Sequence, residues 1–141
     1  MKDIWTVIRT VIAVLGGMCG WFFGGLDGLL IALVLFMAVD YATGVMCAVV
    51  DKKLSSAVGF KGLFKKVLIL LLVGIGHMLD THVLGGGAVL RTAVICFYMA
   101  NEGVSLLENA ARLGLPIPKK LKDVLAQLHD KAEGENQHEQ Q

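Results

Sequence analysis

The sequence lacks most of what a water-soluble fold uses to meet its solvent. Only 18% of its 141 residues are charged, two are proline, and aromatic side chains make up 7%. A charged outer shell is thereby excluded: 55% of the chain is hydrophobic and mean hydropathy is +0.67, beyond what a soluble domain carries. A short chain cannot bury so many Leu, Val, Ile and Phe side chains against itself, so lipid is expected to cover the rest. The three cysteines, Cys19, Cys47 and Cys96, are odd in number, widely spaced and set in apolar runs, which excludes a disulfide framework and reads as packing. Absent too are a nucleophile elbow, a phosphate-binding glycine loop and a His/Cys cluster with ligand spacing. His77 and His82 stand five apart, on different faces of a helix, and make no metal pair. No enzyme, cofactor, metal or nucleic-acid partner is expected, and the net charge of +1 implies no partner by itself.

What is present is a series of long apolar stretches. A helix crossing about 30 Å of hydrocarbon needs roughly 20 apolar residues, and four segments meet that length: 4–23, 29–50, 63–84 and 88–107. The expected fold is all-α, an integral membrane protein with about four transmembrane helices in residues 1–113. A cytoplasmic tail of 114–141 follows. Glycine-rich turns at 24–28 and 85–87 join the spans. A three-span version, with the first segment lying on the membrane, stays open because Arg9 interrupts that segment. The same arginine argues against a removable signal over residues 1–24.

Charge placement sets the orientation. Lys52, Lys53, Lys61, Lys65 and Lys66 form a basic loop between the second and third spans, and Arg112, Lys119, Lys120, Lys122 and Lys131 follow the fourth. The turns at 24–28 and 81–87 contain no Lys or Arg. By the positive-inside rule the basic segments and both termini are cytoplasmic. Pro116 and Pro118 stop the fourth helix. A short amphipathic helix over 119–130 is expected next, with Leu121, Val124, Leu125 and Leu128 on one face, then a disordered polar end.

Polar residues inside apolar spans are costly and mark contacts or water. In the second span Asp40, Thr43, Gly44, Cys47, Ala48 and Asp51 fall on one small, polar stripe, suited to close helix packing or to a surface that meets water after rearrangement. In the fourth, Arg91, Tyr98, Glu102, Ser105 and Asn109 share a face, with Asn101 and Glu108 beside it, so the helix is amphipathic from Tyr98 onward. Asp80 closes the third span, where pairing with His77 or with Arg91 across the Gly85-Gly87 turn is expected. Gly16, Gly20, Gly24 and Gly28 recur every fourth residue, a weak association signal.

Two blocks then carry a resemblance. Asp40-Tyr41-Ala42-Thr43-Gly44 with Lys53-Leu54-Ser55-Ser56 and Gly59-Phe60-Lys61-Gly62 forms the first. The second runs from Phe97 to Asn109 and continues through Leu113-Gly114-Leu115-Pro116-Ile117-Pro118-Lys119-Lys120-Leu121. Together they resemble the bacteriophage holin family that includes toxin-secretion holins, over about residues 30–128. The resemblance implies a protein of the bacterial cytoplasmic membrane that self-associates and at a set time opens lesions. Through these an endolysin or a toxin leaves without specific binding. A folded hydrolase of about 200 residues has a radius of gyration near 16 Å and needs an opening on the order of 40 Å. Helices about 10 Å across then require a homo-oligomer of roughly ten or more subunits. Because the next methionine after Met1 is Met18, an inhibitory longer form from a nearby second start is not expected. The alternative is a small ion-coupled membrane transporter or channel, against which stands the lack of a carboxylate between Ile4 and Phe23.

Overall fold

A computed structural model describes residues 1–124, 126, 127 and 130. Its regular elements are four α-helices, α1 (Lys2–Phe23), α2 (Gly28–Val50), α3 (Ser56–His82) and α4 (Val89–Arg112), and no strand occurs among the described residues. At 1.5 Å per residue each helix is about 33 to 40 Å long. α1 and α2 are also apolar enough to cross a membrane by length and composition. α3 and α4 match them in length but carry more charge. Each helix overlaps one of the four apolar stretches, with α3 starting seven residues earlier and ending two residues sooner, and α4 starting one residue later and running five residues further.

Local chemistry sets the ends. α1 stops at Gly24, whose φ of 76° lies in the left-handed region that glycine enters without strain. Gly25 N–H then reaches back to Gly20 O at 2.8 Å. The Asp27 carboxylate accepts from Leu30 N–H at 3.0 Å and starts α2, while the Ser55 hydroxyl accepts from Val58 N–H at 3.2 Å and starts α3; both are ordinary N-caps. Because Ser55 nucleates the helix there, Lys61, Lys65 and Lys66 lie on α3, not in a loop, and only Lys52 and Lys53 remain in the α2–α3 turn. The chain after Pro118 is helical over 119–124, with Leu121 and Val124 exposed. The expected continuation through Leu125 and Leu128, and the expected disorder of 131–141, lie outside the described residues.

Packing is uneven. α4 is the central helix, lying against both α2 and α3. A small apolar core of Leu30, Leu33, Met37, Ile69, Val73 and Ile95 fills the half of the bundle nearest the 24–28 turn. α1 packs against α3, meets α4 through its last residue, Phe23, and has no buried residue. From Met1 to Cys19 every one of its side chains is exposed. Its attachment is confined to its C-terminal end, where the Phe22 ring occupies the space over Gly74 and the His77 ring sits against Gly24. A helix so apolar and so bare calls for a non-aqueous cover. Gly16, Gly17 and Gly20 face open space, so their spacing serves no contact within the chain.

Gly76 serves one. A Cβ there would stand 3.2 Å from Arg91 N and 3.3 Å from Arg91 Cα, so α3 and the backbone of α4 touch with no room for a side chain. Gly76→Val is expected to lower stability by about 1–3 kcal/mol through overpacking. Gly16→Ala should lose nothing and gain up to about 1 kcal/mol of helix propensity. Denaturant unfolding of the two purified variants checks both values.

Candidate functional site

Two polar clusters lie within the bundle, one near each end. The first begins with Arg91, in the opening turn of α4, whose side chain is only 5% exposed. A buried guanidinium must be paired, and every partner of this one lies in the α1–α2 turn. Nε donates to Phe23 O at 2.6 Å and Nη2 to Gly25 O at 3.2 Å. Nη1 and Nη2 straddle the Asp27 carboxylate at 2.8 and 3.1 Å, the bidentate geometry that suits arginine best. The expected Asp80–Arg91 ion pair is therefore replaced by an Asp27–Arg91 pair.

Asp80 does something else. It is 1% exposed, and its two carboxylate oxygens accept the Leu90 and Arg91 backbone N–H groups at 3.0 and 2.9 Å. Ala88 has no side chain able to cap α4, so a carboxylate from α3 caps it across the turn, satisfying donors that a helix start leaves open. His77, expected as the partner of Asp80, faces Gly24 instead. All four helices are thus tied at this end.

The second cluster lies about three turns along α4, roughly 16 Å from the first. Lys66 Nζ from α3 donates to Asp40 Oδ2 of α2 at 2.8 Å and to Glu102 Oε2 of α4 at 2.6 Å. The three side chains are between 10% and 13% exposed, so one ammonium joins two carboxylates from different helices away from most water. Asn109 extends the seam by donating from Nδ2 to Asp40 Oδ1 at 3.1 Å and Thr43 Oγ1 at 3.0 Å. Thr43 in turn donates to Val39 O at 2.9 Å. Nearer the helix ends, the Cys47 thiol contacts Asn109 O at 3.4 Å and Arg112 pairs with Asp51 on the surface. α2 and α4 are in this way joined by polar contacts over three turns.

Beside the seam, α2 and α3 part to leave an open cleft of about 450 Å³. Asp40, Gly44, Ala48, Tyr98, Asn101, Glu102, Ser105 and Asn109 all line it. These are most of the stripe residues of the second and fourth spans, with Thr43 bonded beside them through Asn109, and the fold brings them to one place. Asp80 and Arg91 belong to the other end. Lys65 lines the cleft, Lys61 is exposed, and Lys52 and Lys53 sit exposed in the turn, where Lys52 adopts φ 54°.

Sequence reading missed three residues. Lys66 read as one of a basic run, yet it continues the stripe of Asp80, Gly76, Val73 and Ile69, all buried on α3, at helical spacing; that phase separates it from Lys65. Asp27 precedes an apolar helix and carries the N-cap signature. Tyr41 stands in the first block of the resemblance, where nothing gives it a role of its own. Its ring lies over Gly59 and Gly62 and its hydroxyl donates to Gly59 O at 3.3 Å.

The model described as the bacteriophage holin family matches residues 17–130. A 14.9 kDa protein in the nagH 3′ region of Clostridium perfringens is 44% identical over 131 residues, covering 93% of this chain and 99% of the relative. Protein Lmo0128 of Listeria monocytogenes is 40% identical, with 93% and 92% covered. Bacillus subtilis YqxH is 37% identical over 113 residues, covering 80% of this chain and 79% of its own. No solved structure matches.

The exposed Asp27 carboxyl yields a pH test. The Arg91 guanidinium, then the Leu30 N–H, holds it below its ordinary value. A carboxyl lowered by folding stabilises the fold above its unfolded value, near 3.9, and loses that contribution as pH falls through its folded value. Melting temperatures between about pH 6 and pH 2 should show Asp27→Asn less stable than the parent at the upper end, with the gap closing at the lower. A gap independent of pH would remove the charge from the explanation.

Proposed function

The chain belongs to the bacteriophage holin family, and from that premise we propose that it is a holin, which gathers in the bacterial cytoplasmic membrane and opens timed lesions for an endolysin or a toxin. The observation that carries this reading is the pairing of a bare apolar helix with a hydrophilic interior. α1 offers lipid a largely apolar surface, unbroken by charge beyond Arg9, while Asp40, Lys66, Glu102 and Asn109 keep charge and amide groups inside the bundle.

In this reading all four helices cross the bilayer. The Arg91 cluster lies toward the outer face, and the basic α2–α3 turn, both termini and the 114–141 tail lie in the cytoplasm, as the lysine distribution favours. α3 and α4 cross because their charges are turned inward and paired, which is how ionisable groups are tolerated in hydrocarbon. One subunit encloses no passage for a folded protein. Passage needs an opening on the order of 40 Å, hence a ring or raft of roughly ten or more copies with helices about 10 Å across. The polar seam of Asp40, Thr43, Gly44, Ala48, Tyr98, Asn101, Glu102, Ser105 and Asn109 then faces either a neighbouring copy or the aqueous opening. The reading assigns no catalytic step and no cofactor.

Induced expression should leave cells energised for a period and then abruptly release a large cytoplasmic marker protein. Gradual ion leakage with the marker retained would point to a small transporter or channel instead. Asp40→Leu and Glu102→Leu should each shift the time of release or the oligomer size while the protein still inserts. Native release kinetics in both variants would strip the seam of its role.

A further inference from the structure

The two ends of the bundle are held very differently. Near the 24–28 turn, α3 is fixed by the buried residues Ile69, Val73, Gly74, Gly76 and Asp80, and by the Asp80 bonds to α4. Toward its other end nothing of the kind exists: from Ser56 to Leu68 no residue of α3 is buried. Over that stretch two side chains tie α3 to its neighbours by hydrogen bonds, Lys66 to Asp40 and Glu102 and Tyr41 to Gly59. Meanwhile α2 and α4 are joined by Asn109, Cys47 and Arg112 along the same stretch. The cleft lies between the weakly held helix and the firmly joined pair.

We propose that the Lys66 ammonium is a latch holding the cytoplasmic half of α3 against α2 and α4, and that the cleft is the seam along which each subunit opens to present its polar faces. The inference rests on the holin reading for what the opening accomplishes, and on geometry for which element moves. The pivot is the end of α3 packed on α1 and α4, where Gly76 lies directly on the α4 backbone. Opening separates one cation from two carboxylates. Surrounded by lipid, that separation leaves three charges without a counter-ion, only Asp40 keeping a hydrogen bond, from Asn109, so an isolated subunit stays shut. Where copies crowd together and water or a neighbour's polar groups reach the seam, the same charges are satisfied after separation. The latch therefore ties opening to density in the membrane.

The test places spin labels on opposite walls of the cleft through Val45→Cys and Val58→Cys, in full-length protein carrying Cys19→Ala, Cys47→Ala and Cys96→Ala. The protein is reconstituted in phospholipid vesicles at low and high protein-to-lipid ratio. At low ratio one short separation is expected. At high ratio a second population should appear, longer by roughly a helix diameter, about 10 Å. Lys66→Met alone strands two carboxylates and risks misfolding, so the latch is removed in the triple variant Asp40→Asn, Lys66→Met, Glu102→Gln. That variant should show the long population already at low ratio. A separation that stays single at high ratio, or a triple variant that stays closed at low ratio, overturns the latch. Marker release in cells with an unchanged separation likewise defeats the latch alone. A density-dependent separation in a protein that never releases the marker upholds the latch and defeats the holin reading.

Discussion

A buried guanidinium has few acceptable surroundings, and Arg91 fixes the architecture by where it finds them. Carbonyl oxygens of Phe23 and Gly25 and both oxygens of Asp27 converge on it, so the start of α4 cannot form without the α1–α2 turn in place. Asp80 adds the reciprocal demand from α3, since the N–H groups of Leu90 and Arg91 depend on its carboxylate. Removing Asp27 would leave the buried Arg91 guanidinium with backbone carbonyls alone, a larger loss than the pair itself contributes. The apolar core beside this cluster is small, which makes the polar bonds decisive for how the helices are joined.

Away from that end the balance changes. α2 and α4 remain together through the Asn109 amide and its acceptors, while α3 is held by the Lys66 ammonium and one hydrogen bond from Tyr41. The polar groups of this region occupy one seam and one cleft, and the apolar surface of α1 and the outer faces of α2 and α3 carries no comparable feature. Hydrophilic chemistry and lipid-compatible surface are thereby segregated within each subunit. Membership of the holin family gives that segregation a use.

Much of this was readable beforehand. Four helices follow from four apolar stretches separated by two glycine turns and one basic segment, and the stripe from Asp40 to Ala48 follows from helical phase. The meeting of that stripe with Glu102, Ser105 and Asn109 was foreshadowed by the amphipathic pattern of α4. What stayed hidden were the pairings between elements. Asp80, Arg91 and Asp27 all sit near turns, and spacing alone cannot say which carboxylate takes the guanidinium and which caps a helix; the choice depends on how closely Gly76 lets α3 approach α4. Lys66 was masked by Lys65, because two adjacent lysines before an apolar run look alike until one knows which face of the helix turns inward.

The one-ended attachment of α1 has a geometric consequence. A helix fastened only at its C-terminal end, through Phe22, Phe23 and Gly24, leaves residues 2–19 exposed, so that its apolar side chains find no cover within the chain and must take it from their surroundings.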